Sequence, residues 1–170
     1  LLAGPTVNAV AGFGEEAGWR GYLYQALRQR GFWWYSLFIG FVWGLWHAPI
    51  ILQGHNYPKH AVAGVGMMIV FCLLYSPLFT FVRDRTQSTI GAAVLHGSLN
   101  ATMGLAVIPL KGGSDLLVGG TGLAGFIVLG VMNLVLAALR GRVTGGGEVS
   151  GRGLGGKPTV SEEQTPERAE

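Results

Sequence analysis

Charge is scarce in this 170-residue chain everywhere but at its end. Ten of the 21 charged side chains fall between Arg140 and Glu170, which leaves 11 for the first 139 residues. Between those 11 run charge-free stretches of 28 residues (Gly31 to Pro58), 23 (His60 to Val82), 25 (Thr86 to Leu110) and 24 (Leu116 to Leu139). About 20 apolar residues at about 1.5 Å each cross about 30 Å of hydrocarbon, so all four are long enough to span a bilayer. A soluble single domain is excluded as the leading reading. Cysteine is nearly absent too: Cys72 stands alone in an apolar run, which excludes a disulfide framework or a cysteine-based zinc site. No basic face exists, because the formal charge of +3 comes from short loops and the tail, so nucleic acid is not an expected partner. Leu1 to Gly14 lack an initiating Met and a basic n-region, so they are no secretory signal. They read as part of a helix in a longer protein.

What is present predicts an all-α, polytopic transmembrane helical bundle lacking its N-terminal helices. The expected membrane domain covers residues 1–140, with a membrane or interfacial helix over 14–30 and spans over roughly 33–54, 61–82, 87–110 and 117–139. Arg28, Arg30, Arg83, Arg85, Arg140 and Arg142 collect on one side of the spans and only Lys59 and Lys111 on the other. That asymmetry places the arginine-rich loops and the tail in the cytoplasm. Trp33, Trp34 and Tyr35 fit an interfacial aromatic belt, and Gly40 with Gly44 has the small-xxx-small spacing that lets helix backbones approach. Residues 141–170 contain eight glycines and almost no large apolar side chains. They cannot bury enough surface to offset their ordering entropy and read as a disordered tail.

Two glycine patterns carry no cofactor reading. Gly120, Gly122 and Gly125 spell G-x-G-x-x-G, but no strand precedes them and no acidic residue follows at ribose-binding distance. Gly151 to Lys157 is followed by Pro158 where a phosphate loop needs Ser or Thr. Packing and tail flexibility explain both.

Polar groups inside spans are costly and by default mark function. Glu16 and Arg20 stand at i, i+4 and can pair, while Glu15 points about 100° away with no evident counter-charge. Such a desolvated carboxylate suits a general base; an amphipathic helix whose acids face water is the alternative. His47 follows Trp43 by one turn and precedes Pro49, which predicts a kink just beyond the histidine. His96 and Asn100, again at i, i+4, can donate two hydrogen bonds to a developing oxyanion. Interhelical polar glue is the alternative for both histidines. Counted from Gly31 and Thr86, where the charge-free runs begin, His47 lies about 24 Å deep and His96 about 15 Å, so a shared site needs tilt, a later helix start or a helix break. His55 and His60 read as solvated loop residues, and Asp84 as a surface ion pair with Arg83 and Arg85.

These residues resemble the CPBP (CAAX protease and bacteriocin-processing, or Abi) family of intramembrane proteases, which includes the type II CAAX prenyl endopeptidase. Its motifs are E-E-x-x-x-R, F-x-x-x-H and H-x-x-x-N on successive membrane helices. Here they are Glu15, Glu16 and Arg20, then Trp43 to His47 with tryptophan in place of phenylalanine, then His96 to Asn100. The resemblance implies a helical membrane hydrolase, reached from the cytoplasm, that cleaves near the C-terminus of a prenylated or hydrophobic peptide. It assigns Glu15 to activating water, His47 to positioning it, His96 and Asn100 to the oxyanion, Glu16 with Arg20 to organising the site, and Trp43 to the pocket. Partners are the peptide substrate and the lipid bilayer. A zinc ion on Glu15, His47 and His96 is the metalloprotease alternative to metal-free chemistry. A non-catalytic immunity or scaffold protein and a proton-coupled transporter are the rival functions.

Overall fold

The computed structural model describes residues 2–107 and 112–145, with side chains over 2–103 and 112–141. Every regular element among them is helical. The chain opens with a helical run: a π turn over Gly4–Asn8, α1 over Ala9–Glu16, a second π turn over Ala17–Leu23, α2 over Tyr24–Leu27 and a 3₁₀ turn over Arg28–Arg30. Gly31, at φ 90° where only glycine is unstrained, turns the backbone into α3, Phe32–Trp46. After a break at His47 come α4 (Ala48–Leu52), α5 (Ala61–Thr86), α6 (Thr89–Val107) and α7 (Leu123–Gly145).

Three helical stretches are long and apolar enough to cross a membrane: Phe32–Leu52, Ala61–Thr86 and Leu123–Gly141. Helix α6, where a span over 87–110 was expected, is not among them; it carries the polar His96, Ser98 and Asn100. The glycine-rich turn over Gly119–Gly122 delays α7, expected from residue 117, until Leu123. Helix α7 continues five residues into the expected tail, to Gly145, and the rest of that tail, including Gly151 to Lys157, lies outside the described residues.

Helices α3 and α5 form the densest contact because two glycines remove the side chains between them. A Cβ on Gly40 would stand 2.7 Å from the Cys72 carbonyl oxygen, and one on Gly44 would stand 2.6 Å from the Ile69 Cα. Close backbone approach gains dispersion contacts where lipid supplies no hydrophobic drive between helices. A second glycine contact joins the N-terminal run to α6: a Cβ on Gly97 would fall 2.3 Å from Ala9 N and Gly4 O. Helix α7 packs on α5 and presents Ile127, Val131, Leu134 and Val135 outward, the surface expected of a lipid-facing helix. Asn133 Nδ2 donates 2.7 Å to the Leu74 carbonyl oxygen, near Pro77, and ties these two helices.

Two expected surface groups are structural. Asp84 does not pair with its sequence neighbours: it accepts from Tyr24 Oη at 2.7 Å and Tyr35 Oη at 3.3 Å and pairs with Arg140 at 3.5 Å. Arg83, 6% exposed, turns inward, and its Nε donates 3.0 Å to the Arg20 carbonyl oxygen. At the other end of the bundle, His60 Nδ1 and the Lys59 backbone N–H both bind the Asp115 carboxylate, and buried Tyr57 donates 2.6 Å to the Thr121 carbonyl oxygen. The chain between α4 and α5 is thereby laced to the one before α7, with His55 left exposed.

Candidate active site

Glu15 and Glu16 end α1, where the chain widens into the π turn over Ala17–Leu23, an irregularity frequent at functional sites. Glu16 and Arg20 are both 0% exposed. Arg20 Nη1 donates 3.2 Å to Glu16 Oε1, and Arg20 Nη2 donates 3.1 Å to Ser76 Oγ on α5. The guanidinium lies 4.7 Å from the Trp43 ring centroid and 4.5 Å from that of Phe79, so its faces are covered by aromatic π systems. Glu16 Oε2 and Arg20 Nε find no hydrogen-bond partner among the described residues. A buried ion pair satisfied this incompletely recovers its desolvation poorly and adds little net stability. Its evident effect is to fix what it touches.

That is His96. Gly97 lets α6 settle against the N-terminal run, and Gly12 leaves room for the ring, since a Cβ there would come 3.1 Å from His96 Cβ. His96, 4% exposed, gives its Nδ1 to Glu16 Oε1 at 2.9 Å. A carboxylate only accepts, so Nδ1 carries the proton and Nε2 points away towards Glu15 Oε1, 3.9 Å off. In the neutral ring Nε2 is an acceptor; as an oxyanion donor His96 must be the imidazolium, a state flanked here by two carboxylates.

Glu15 has a partner that helix geometry alone did not suggest: the Trp43 indole Nε1 donates 2.8 Å to Glu15 Oε2. His47 sits where α3 breaks. Its backbone N–H donates 3.2 Å to the Gly44 carbonyl oxygen, and its Nδ1–H donates 2.8 Å to the Trp43 carbonyl oxygen. The carbonyl fixes Nδ1 as the protonated nitrogen and leaves Nε2 with its lone pair. The break expected after His47 falls at His47 itself, beyond the last residue of α3, so it does not shorten the path along that helix; the packing of Trp43 on α3 against His96 on α6 brings the two histidines together. The rings of His47 and His96 lie 5.8 and 5.6 Å from that of Trp43.

Glu15, Trp43, His47, His96 and Asn100 all line one cavity of about 1190 Å³. Glu16 and Arg20 lie behind its wall. From this cluster the cavity runs past Met68, Phe71 and Leu99 to His55, Asn56, Lys59 and Asp115. His55, Asn56, Pro58 and Lys59 are exposed, so the cavity has a mouth at the Lys59 end of the 26-residue α5, opposite Arg85. Sequence reasoning missed Ser76, Phe79, Gly12 and Gly97. The glycines immediately after His96 and four before Glu16 are a signal only once the two helices are known to cross.

Among the described residues, no three His, Cys, Asp or Glu side chains are grouped closely enough to hold a metal ion. In the conditional zinc set, Glu15 Oε1 and the Nε2 atoms of His47 and His96 are uncommitted, and a ring held through Nδ1 by a carbonyl or carboxylate is also how a zinc-bound histidine is oriented; it is the spacing of the three side chains, not their hydrogen bonds, that departs from a metal site.

Residues 1–102 match the family described as type II CAAX prenyl endopeptidase Rce1-like, and the chain belongs to it. With its three apolar helices, that membership makes it an integral membrane protein. It is similar to CAAX prenyl protease 2 of Methanococcus maripaludis, 44% identical over 48 residues, which cover 25% of this chain and 16% of that protein. The chain thus spans well under two thirds of the curated relative it matches. No solved structure gives a significant match.

Proposed function

We propose that the protein is an intramembrane endopeptidase that hydrolyses a peptide bond near the C-terminus of a prenylated or hydrophobic peptide by glutamate-activated water. The observation that carries this is the convergence of Glu15, His47, His96 and Asn100 on one cavity. Water held between Glu15 Oε1 and His47 Nε2 gives a proton to Glu15 as its oxygen attacks the scissile carbonyl carbon. The resulting oxyanion takes hydrogen bonds from the Asn100 amide and from His96 Nε2–H in the imidazolium form. Collapse breaks the C–N bond, and Glu15 returns the proton to the leaving amine. Glu16 and Arg20 hold His96 without touching substrate.

Asn100 separates this reading from a proton relay, which has no use for an amide. In vesicles containing the protein, Glu15→Gln should lower cleavage of a farnesylated peptide by about 10²- to 10⁴-fold. Asn100→Ala should lower it by about 10²- to 10³-fold. Unchanged cleavage in both variants refutes the proposal. Prolonged chelation should leave activity intact; loss that added zinc restores would replace the metal-free mechanism.

The cavity mouth bears on orientation. Cytoplasmic access through this mouth would put Arg28, Arg30 and Arg85 on the other side, because the mouth and those arginines lie at opposite ends. The proposal keeps cytoplasmic access.

A further inference from the structure

We infer that Trp43 is a positioning residue for this hydrolysis, one whose indole N–H orients Glu15 and whose backbone carbonyl sets the tautomer of His47; the inference rests on the catalytic reading above. A glutamate on a cavity wall has three side-chain torsions and loses rotamer freedom when held in one pose. Trp43 is 2% exposed and is itself immobilised, edge-on to Phe79 at 5.5 Å and covered by the Arg20 guanidinium. Its N–H···Oε2 bond of 2.8 Å is charge-assisted and therefore strong and directional. With Oε2 so occupied, Oε1 is the oxygen presented to His96 Nε2 and to water. Through the His47 Nδ1 contact to its carbonyl, the same residue leaves Nε2 of His47 as an acceptor.

A buried indole needs an acceptor, so Glu15 could serve Trp43 rather than the reverse. Trp19 bears on this choice. Its Nε1 is buried with no hydrogen-bond partner among the described residues, so the bundle accommodates an unpaired indole. Folding alone does not require that Trp43 reach Glu15. Phenylalanine at this position would fill most of the same space and make no such bond.

The test replaces Trp43 in the reconstituted full chain by benzothienylalanine, which keeps the ring shape and exchanges N–H for sulfur, with Trp43→Phe as the second variant. Losing a hydrogen bond to a charged group should lower kcat by about 10- to 100-fold. In the benzothienylalanine protein KM and the melting midpoint should stay at the parent values, because neither the cavity wall nor the packing has changed. The ¹⁵N-indole resonance of Trp43 should move in Glu15→Gln while those of Trp33 and Trp34 stay in place. Parental kcat in the benzothienylalanine protein, or a loss confined to KM, overturns the inference while leaving the proteolytic reading intact. If Glu15→Gln itself cleaves normally, Glu15 is not the base and this role falls with it; the resonance then still reports whether the contact exists. An unmoved Trp43 resonance rules out the contact.

Discussion

Gly97 offers the sharpest test of how the bundle builds its site. Gly97→Ala adds one methyl group where Ala9 N and Gly4 O would both stand at 2.3 Å and Asn8 C at 2.6 Å. All three are backbone atoms, so no rotamer change relieves them. Ordinary contact distance is about 3.5 Å or more, so the N-terminal run and α6 must part by roughly 1 Å. Overpacking of this kind costs about 1–3 kcal/mol, against a gain of up to about 1 kcal/mol that alanine brings to a helix interior. Gly66→Ala on α5 is the control, because a Cβ there meets nothing within 4 Å. It should be neutral or stabilising by up to about 1 kcal/mol. A displacement of roughly 1 Å at α6 also draws His96 away from Glu16, and misplacement of that size costs about 10²-fold in rate. Thermal unfolding in detergent and cleavage in vesicles should therefore both fall in Gly97→Ala and neither in Gly66→Ala. If Gly97→Ala matches Gly66→Ala in both measurements, the close crossing of α6 and the N-terminal run does not hold the site.

Ser76→Ala removes the acceptor of Arg20 Nη2 inside a fully buried pair; it should destabilise the protein by about 1.5–3 kcal/mol in thermal unfolding. At Asp115, slight shielding pushes the carboxyl upward, but hydrogen bonds from His60 and the Lys59 backbone outweigh it and hold the group below its ordinary value of 3.8. A lowered carboxyl stabilises above the ordinary carboxylate range and loses that contribution as pH falls through its folded value. Exchange protection of the Lys59 amide should be full near neutrality and fall in strong acid, and Asp115→Asn should abolish this pH dependence. For orientation, a Lys59→Cys protein should react with an impermeant maleimide from the cytoplasmic face only.

The helical membrane class was legible from charge spacing alone, because ionisable groups are excluded from hydrocarbon whatever the fold. The Glu16–Arg20 pair was legible because i, i+4 proximity is local, and it survives the widening into a π turn. Other parts of the site depend on which helices cross. Trp43 stands one turn before His47 in the sequence, and the His47 contact with its carbonyl is again local. Its bond to Glu15 joins residues 28 apart and follows from the packing of α3. Ser76 looks like any small residue in α5 until Arg20 is placed beside it. Asp84 read as a partner of Arg83 and Arg85 because adjacent charges look paired in sequence. On a helix, neighbours point about 100° apart, and Asp84 turns to tyrosines on α2 and α3 instead.

Orientation connects these misreadings to the substrate. Six arginines against two lysines is a firm bias only if all six are free loop charges. Arg83 is buried on α5 against the Arg20 carbonyl, and Arg140 is engaged with Asp84 and lies 3.7 Å from the Phe32 ring centroid. Setting those two aside leaves Arg28, Arg30, Arg85 and Arg142 against Lys59 and Lys111 in the sequence, four against two. So small a difference is weak topological information. The cavity then carries more weight, since it offers water and a peptide a route to Glu15 from the Lys59 end. A lipidated C-terminus made in the cytoplasm can enter from that end if the mouth faces the cytoplasm. Labelling of Lys59→Cys from the opposite face would restore the arginine count, close that route to cytoplasmic prenylated peptides and favour hydrophobic peptides presented from the other side as the substrate class.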